Sequence, residues 1–218
     1  MNSQVESLDP GEPTPDEPGP AARVRTRAGG RSAEVRRSVR DACLAFLAEG
    51  RIDFTMVEMA ERAGVSRKTL YRWWPTPEDV LVEGLSTHVR RVSPPDTGSW
   101  ATDVREFADL IATFAADPVE VATTSLLASR RYPEFGKLVV AQYAPVRHEW
   151  QQMVHRAVER GEISAEHTPE AVINALVAPL FLAPMMMGRK ASDDEIERTV
   201  RIILAATRPF AETPPVAR

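Results

Sequence analysis

Cysteine is nearly absent from this sequence, which contains Cys43 and no second thiol among its 218 residues. An intrachain disulfide is therefore excluded. Cys43 lies in an amphipathic helical pattern, where a lone cysteine usually packs as a small hydrophobe, so we predict a buried side chain without a redox role. A basic and apolar signal segment is also missing at the N-terminus, and we expect a cytoplasmic protein.

Catalytic and cofactor-binding motifs are missing as well. The sequence has no HExxH, no nucleophile elbow, no P-loop and no dinucleotide glycine fingerprint. His148 and His155 share a helix face near Glu149, Glu159 and Glu162, but a histidine pair seven residues apart does not chelate a metal unaided. We predict a protein that is not an enzyme and has no cofactor and no metal site. A helical enzyme with an appended DNA-binding domain remains an alternative.

Positive charge is scarce overall but concentrated in one part of the chain. The net charge of −4 would by itself argue against binding to nucleic acid. Residues 1–22 carry five acidic and no basic residues, residues 23–92 carry 14 basic and 9 acidic, and residues 93–218 carry 13 basic and 17 acidic. A basic segment next to an acidic remainder is typical of a DNA-binding domain attached to another domain.

The most informative stretch is residues 54–80, which predicts two short helices joined by a tight turn. Thr55 and Glu58 have the spacing of a capping box at the start of the first helix. Gly64 can adopt the left-handed conformation that ends it, and Ser66 can cap the next helix. This order predicts a helix-turn-helix, whose second helix enters the major groove of DNA.

The outer face of that second helix offers positive charge and hydrogen-bond donors without a carboxylate. Such a face suits guanine acceptors and phosphates, although an ordinary helical hairpin with a solvated basic face remains possible on the same pattern. The predicted DNA-binding residues are Thr55, Ser66, Arg67, Lys68, Thr69, Tyr71, Arg72 and Trp73.

Residues 55–81 resemble the TetR family of transcriptional regulators. The resemblance consists of the capping Thr55, the corner Ala63-Gly64-Val65-Ser66, the pair Leu70-Tyr71, the aromatic Trp74 and the helix start Glu78 to Leu81, and it extends back over residues 35–50. It implies that Trp74 lies in the core and Trp73 nearer the DNA backbone. The family usually has a phosphate-binding lysine where this chain has Pro77; the N–H groups of Glu78 and Asp79 are the expected substitutes.

The predicted fold class is all-α, with an N-terminal three-helix DNA-binding domain followed by a helical C-terminal domain. We predict that residues 1–22 are a disordered, acidic, proline-rich tail. A segment of this composition cannot bury enough apolar surface to offset the entropy lost on ordering. The remaining predicted segments are a basic arm (23–32), the helix-turn-helix domain (33–75, with its first helix from about Ala33), a connecting helix 4 (76–92), a helical effector-binding and dimerisation domain (100–208) and a C-terminal tail (209–218).

The arm contains four arginines at close spacing, namely Arg23, Arg25, Arg27 and Arg31. Basic arms beside DNA-binding domains can enter the narrow, negative minor groove. A solvated linker explains the same residues, so both interpretations stay open.

The segment 171–188 is apolar on nearly all sides. It approaches the length of a membrane span, but Asn174, Pro179, Pro184 and the amphipathic helix that follows favour a soluble protein that does not bind a membrane. A helix that is apolar all round must be covered all round, and a second subunit is the simplest cover. The resemblance implies a homodimer formed by residues 171–188 and 192–206 of each chain, bound to double-stranded DNA.

The resemblance also implies a small-molecule effector bound in the C-terminal domain, which would change the spacing of two recognition helices. For any single candidate lining residue, packing in the core is the more common role than lining a pocket, and a ligand-independent architectural DNA-binding protein remains the alternative function. The candidate lining residues are Phe107, Phe114, Leu126, Tyr143, Trp150, Met153, Phe181 and Met185.

Overall fold

The structure, a computed structural model, describes the backbone of residues 20–209 and the side chains of residues 30–209. Most of the predicted acidic tail and nearly all of the predicted C-terminal tail lie outside these residues. Within the described range the chain is all-α and has no strand, as predicted. The helices are α1 (Pro20–Ala48), α2 (Met56–Ala63), α3 (Arg67–Trp73), α4 (Pro77–Val89), α5 (Trp100–Ala115), α6 (Pro118–Ser129), α7 (Pro133–Glu159), α8 (Pro169–Met187) and α9 (Asp193–Ala206).

The first helix is longer than the sequence predicted. It begins at Pro20 and not near Ala33, so the predicted arm of residues 23–32 is part of helix α1. The alanines and arginines of this segment favour a helix, and no second proline interrupts it. The chain divides into two compact units between Arg37 and Ser38, and the described part of the first unit is the helical segment 20–37.

The boundaries of the later helices follow from capping residues and prolines. Thr168 and Ser192 accept hydrogen bonds from backbone N–H groups in the first turns of α8 and α9. Proline occupies the first position of α4, α6, α7 and α8, where its missing N–H costs nothing. α4 ends at Val89, three residues before the predicted Val92.

One hydrophobic core joins the helices of the C-terminal domain. α5 packs against α8 and α9, and α7 packs against α4 and α8. The ring centroids of Phe107 and Trp150 lie 5.5 Å apart in an edge-to-face arrangement, and the indole N–H of Trp150 donates to the carbonyl oxygen of Val92 at 3.2 Å. These contacts fix the end of α4 against α5 and α7.

Helix α8 buries only part of its apolar surface within one chain. Ile173, Leu176 and Leu180 are at most 2% exposed, whereas Leu182 is 58% and Met186 74% exposed. By length and composition α8 could cross a membrane, with a mean hydropathy of 1.7, but the core helices of soluble proteins meet the same criterion. The bend predicted from its two prolines stays a prediction.

α4 follows the α2–α3 pair in sequence and packs against α7 of the C-terminal core. Val80, Leu85 and Val89 are at most 1% exposed. Gly84 faces Cys43 of α1, whose side chain is fully buried, as predicted. Burial raises the pKa of the Cys43 thiol to about 12, so the thiol is un-ionised at neutral pH.

Candidate nucleic-acid interface and effector cavity

Two caps and a glycine form the corner between α2 and α3. The Thr55 hydroxyl accepts from the Glu58 N–H at 3.2 Å while the Glu58 carboxylate accepts from the Thr55 N–H at 2.7 Å, which completes the predicted capping box. Gly64 has φ 65° and ψ 31°, the left-handed conformation that lets the chain leave α2 without a Cβ clash. Ser66 then caps α3 by accepting from the Thr69 N–H at 3.1 Å.

The end of α1 anchors this corner. Phe46 stacks on Phe54, which precedes α2, with ring centroids 5.0 Å apart. The Arg62 guanidinium lies 4.1 Å from the centre of the Phe46 ring and pairs with Glu49. Arg51 bridges to Glu58 at 2.7 Å. These contacts fix the orientation of α2 relative to α1. The three-residue turn between α2 and α3 then fixes the orientation of α3 as well.

α3 presents opposite faces to the core and to solvent. Leu70 is fully buried and Trp74 is 4% exposed, whereas Trp73 is 37% exposed. The burial of Trp74 confirms the expectation drawn from the family resemblance, whereas the position of Trp73 nearer the DNA backbone stays a prediction. Arg67, Lys68, Tyr71 and Arg72 are exposed, and α3 contains no carboxylate.

The outer surface of α3 is therefore cationic and partly aromatic. The Arg72 guanidinium lies 5.3 Å from the centre of the Trp73 ring. The hydroxyls of Ser66 and Thr69 are hydrogen-bonded to each other at 2.8 Å, and the Thr55 hydroxyl donates to Glu58 at 2.9 Å. Seven of the eight predicted DNA-binding residues are thus exposed and Thr69 is half-buried, while the hydroxyl groups of Thr55, Ser66 and Thr69 already take part in hydrogen bonds at the helix caps.

The start of α4 corrects one expectation. The Asp79 N–H donates to the Thr76 hydroxyl at 3.2 Å and the Asp79 carboxylate accepts from the Thr76 N–H at 2.9 Å. The Asp79 N–H is therefore occupied by a capping box, and two carboxylates, of Glu78 and Asp79, lie in the first turn. Their negative charge opposes a phosphate at this helix N-terminus, so the expected substitute for the lysine at Pro77 is unfavourable.

The predicted minor-groove arm is described only at its end. Arg31 is exposed. The side chains of Arg23, Arg25 and Arg27 lie outside the described residues, so the arm stays a prediction.

A cavity of about 480 Å³ opens between α6, α7 and α8. Leu127 and Val139 form part of its apolar wall, and Glu120, Tyr143 and Arg147 form part of its polar wall. Its volume is within the range of small-molecule sites in proteins. A more open groove of about 660 Å³ runs along α5.

Two of the eight predicted effector-pocket residues line these openings, and three others pack in the core. Tyr143 lines the cavity between α6, α7 and α8, and Phe114 lines the groove along α5. Phe107, Trp150 and Met153 are at most 4% exposed and pack in the core, where their shared apolar character had not distinguished core from pocket. The described cavities are not lined by these three or by Leu126, Phe181 and Met185.

A buried polar cluster beside the cavity was missed by the sequence analysis. Glu120 of α6 accepts hydrogen bonds from the Tyr143 hydroxyl and, at 3.3 Å, from the Thr124 hydroxyl. Its Oε2 atom lies 3.2 Å from Nε2 of His88 in α4. The sequence does place His88 and Glu120 at core positions of two helices. Because the two residues are 32 positions apart, the sequence alone does not show that their side chains meet. Among the described residues, no group of three or more His, Cys, Asp or Glu side chains could hold a metal ion.

The chain matches known regulators in sequence. Residues 94–203 match the family model described as "Tetracyclin repressor-like, C-terminal domain". The HTH-type transcriptional regulator AqdR of Rhodococcus erythropolis is 27% identical over 191 residues, which cover 82% of this chain and 88% of AqdR. The HTH-type transcriptional regulator YdeS of Bacillus subtilis (strain 168) is 26% identical over 151 residues, 67% of this chain and 75% of YdeS.

Solved structures share the fold. The flavonoid-responsive regulator FrrA superposes with a TM-score of 0.64 at 19% identity, covering 82% of this chain and all of FrrA. TylP, a TetR regulator from Streptomyces fradiae, superposes with a TM-score of 0.65 at 19% identity, covering 83% of this chain and 89% of TylP. Taken together with the capped corner and the family match over half of the sequence, these similarities establish that the chain belongs to the TetR family of DNA-binding, helix-turn-helix transcriptional regulators.

Proposed function

We propose that the protein is a ligand-responsive repressor that binds a near-palindromic operator as a homodimer. The observation that carries this proposal is the outward face of α3, which holds three exposed cations, Arg67, Lys68 and Arg72, and no carboxylate. A short helix of this chemistry can enter the major groove, where arginine and lysine bind the O6 and N7 acceptors of guanine.

The proposed contacts divide by chemistry. Arg67 and Lys68, at the N-terminal end of α3, are the proposed base-reading side chains, because recognition helices usually contact base edges with their first residues. Tyr71, Arg72 and Trp73 are the proposed contacts to the sugar-phosphate backbone. Ser66, Thr69 and Thr55 would reach phosphates only by leaving or sharing their capping hydrogen bonds.

The uncovered apolar surface of α8 and α9 supports a homodimer. Leu182, Met186 and Met187 of α8 and Ile202 of α9 are each at least 58% exposed. Monomeric soluble proteins rarely leave such contiguous apolar surface in water. A two-fold pairing of α8 and α9 would cover it and would set two α3 helices on successive major-groove turns, which accounts for a near-palindromic operator.

The cavity between α6, α7 and α8 supports a response to a small molecule. Its wall includes Glu120, which also contacts His88 of α4. α4 follows α3 after three residues, so a change in the cavity has a short route to the recognition helix. The proposed effect of the ligand is a shift of α4 that lowers operator affinity.

Footprinting of the DNA upstream of the protein's own gene, with the full-length chain, tests the proposal. We expect protection of two half-sites about one helical turn apart and an affinity that falls steeply as the salt concentration rises. Protection of one half-site alone, or equal affinity for unrelated DNA, would overturn it. An architectural protein would bind DNA without a response to any small molecule, and a thermal shift screen with metabolite pools separates that case.

A further inference from the structure

The polar wall of the cavity between α6, α7 and α8 contains a carboxylate that lacks a permanent cation. Glu120 is 3% exposed, and burial of a carboxylate is unfavourable unless a charge or several hydrogen bonds compensate it. Within residues 30–209 its ion-pair partner is His88, which is charged only when protonated. Tyr143 and Thr124 contribute neutral hydroxyl groups.

The cation nearest to this wall is already engaged elsewhere. The Arg147 guanidinium lies 3.3 Å from the Glu170 carboxylate and 3.1 Å from the side-chain oxygen of Asn174. The cavity wall therefore holds two carboxylates, of Glu120 and Glu170, one guanidinium and the imidazole of His148. The excess of negative charge favours a cationic ligand and disfavours an anionic one.

Tyr143 adds no charge to this wall. Its burial, together with the charge of Glu120, raises the pKa of the Tyr143 phenol, which therefore remains a neutral donor. Oε2 of Glu120 accepts from the Tyr143 hydroxyl and lies 3.2 Å from Nε2 of His88, whereas the one hydrogen bond of Oε1 within residues 30–209 is the longer one from Thr124, at 3.3 Å. Oε1 is thus the acceptor with capacity for a ligand.

Another part of the cavity lining is apolar. Leu127 of α6 and Val139, Val140 and Ala144 of α7 line it. A ligand that complements both the polar and the apolar side chains has a hydrocarbon or aryl body and a compact, positively charged hydrogen-bond donor at one end. A primary ammonium on an aryl-alkyl chain has this form.

The position of His88 links such a ligand to α4. Its imidazole is fully buried, its ring centroid lies 4.8 Å from that of Phe114, and its Nδ1 atom has no hydrogen-bond partner among the described residues. Glu120 is therefore the partner that compensates the burial of His88. If a ligand drew the carboxylate away, both ring nitrogens would be buried without a partner, which is unfavourable for this position of α4.

We infer that the cavity binds an amphipathic amine whose ammonium takes Glu120 as its counterion and displaces the Glu120–His88 contact, which releases α4 from its DNA-binding position. This inference rests on the proposed function, since it names the ligand class and the switch of the same cavity. A contact between an ammonium and a carboxylate pairs two opposite full charges and is stronger than a contact in which only the carboxylate is charged, which offsets the cost of leaving His88 without its partner.

Calorimetry on the full-length protein with 4-phenylbutylamine and its shorter and longer homologues tests the ligand class. The alcohol and the carboxylate of the same chain length are the matched probes. We expect the amine to bind at least about tenfold more tightly than the alcohol, and the carboxylate most weakly. Failure of every amine to bind, or equal binding of amine and alcohol, would overturn the inference.

Glu120→Gln separates charge from shape in the same measurement. We expect it to weaken amine binding by about tenfold or more while binding of the alcohol changes little. Glu134→Gln, which removes an exposed carboxylate at the start of α7, is the matched control and should leave amine binding unchanged. Full amine affinity in Glu120→Gln would contradict the proposed counterion.

The switch has its own readout. The ring of His88, one of only four histidines in the chain, should change its NMR signals when the amine binds but not when the alcohol is added. His88→Leu should bind the amine yet lose most of the amine-dependent decrease in operator affinity. An unchanged decrease in this variant would overturn the proposed switch, and so would His88 NMR signals that do not shift when the amine binds to the wild type.

Operator binding without ligand is measured in parallel. A protein that binds operator but no amine refutes this inference alone, and one that binds the amine but no DNA refutes the proposed function.

Discussion

Gly84 of α4 crosses Cys43 of α1 so closely that a Cβ atom on Gly84 would lie 2.7 Å from the cysteine Sγ and 3.3 Å from its Cβ. A Cβ atom at this position would require the Cys43 side chain or one of the two helices to shift. The crossing is buried, and it joins α4 to the helix that anchors the α2–α3 corner. We therefore expect a movement of α4 in this region to be transmitted to the α2–α3 corner.

We predict that Gly84→Ala lowers the free energy of unfolding by about 1–3 kcal/mol, because the added methyl group overpacks the helix crossing. Urea denaturation of the full-length protein measures the loss. Gly136→Ala in α7 is the control, since a Cβ there meets Leu127 at an ordinary 3.7 Å. The control should be neutral or slightly stabilising because alanine favours a helix. Equal losses of unfolding free energy in both variants would contradict the close approach. So would a Gly84→Ala/Cys43→Ala double variant that is no more stable than Gly84→Ala.

Arg67→Ala and Lys68→Ala should each weaken operator binding by about 1–3 kcal/mol if the side chain contacts a base, and should relax selectivity at one operator position. A contact to phosphate would instead weaken binding to all sequences equally and reduce the salt dependence. Fluorescence anisotropy with operator variants at several salt concentrations distinguishes the two cases. Lys137→Ala removes an exposed lysine of α7 as a control. Operator affinity equal to that of the control in both α3 variants would refute the assigned interface.

The helix-turn-helix corner should lose stability in acid. Hydrogen bonds from the Thr55 backbone N–H, the Arg51 guanidinium and the Thr55 hydroxyl lower the pKa of Glu58 from 4.5 to about 2. Because folding favours the ionised form, its contribution is complete above pH 4.5 and is lost as the pH falls toward 2. Glu58→Gln should therefore reduce the decline of the thermal midpoint over this interval.

Glu61→Gln is the matched control for this pH series, because it removes an exposed carboxylate from the same helix. Thermal unfolding followed by circular dichroism at several pH values gives the comparison. If Glu58→Gln and Glu61→Gln show the same pH profile as the wild type, the capping box does not contribute as described.

Met186→Glu and Ile202→Glu should convert the proposed dimer into monomers. Both side chains are exposed within one chain, at 74% and 62%, and a carboxylate buried in an apolar subunit interface is strongly unfavourable. Light scattering after size exclusion measures the mass, and operator affinity should fall in parallel because the two half-sites are no longer bound together. Leu110→Glu changes another exposed apolar residue, on α5, and should remain dimeric. A dimeric Met186→Glu protein would place the subunit interface elsewhere.

The sequence predicted the helix-turn-helix in detail because its signals are local. Thr55, Gly64 and Ser66 act within three or four residues of their own position, and the structure has each of them as a cap. The start of α1 had no such signal, since no capping motif marks Ala33 and the alanines before it extend the helix. Local chemistry therefore predicted where helices stop better than where a long helix starts.

The buried cluster beside the cavity depends on packing and was not predictable in the same way. His88, Glu120 and Tyr143 come from three helices whose relative rotation is set by the whole core. Phe107 and Trp150 show the converse problem, because an aromatic residue on a helix face can pack in a core or line a pocket with the same periodicity. The three-dimensional arrangement was needed to separate the two.

The four tryptophans provide a built-in optical reporter. Trp74, Trp100 and Trp150 are each 4% exposed, so a small aqueous quencher reaches them poorly, whereas Trp73 on α3 is 37% exposed. Emission that acrylamide suppresses therefore originates mainly from the recognition helix. If DNA binds to α3 and shields the Trp73 ring, acrylamide quenching of the unlabelled protein should decrease.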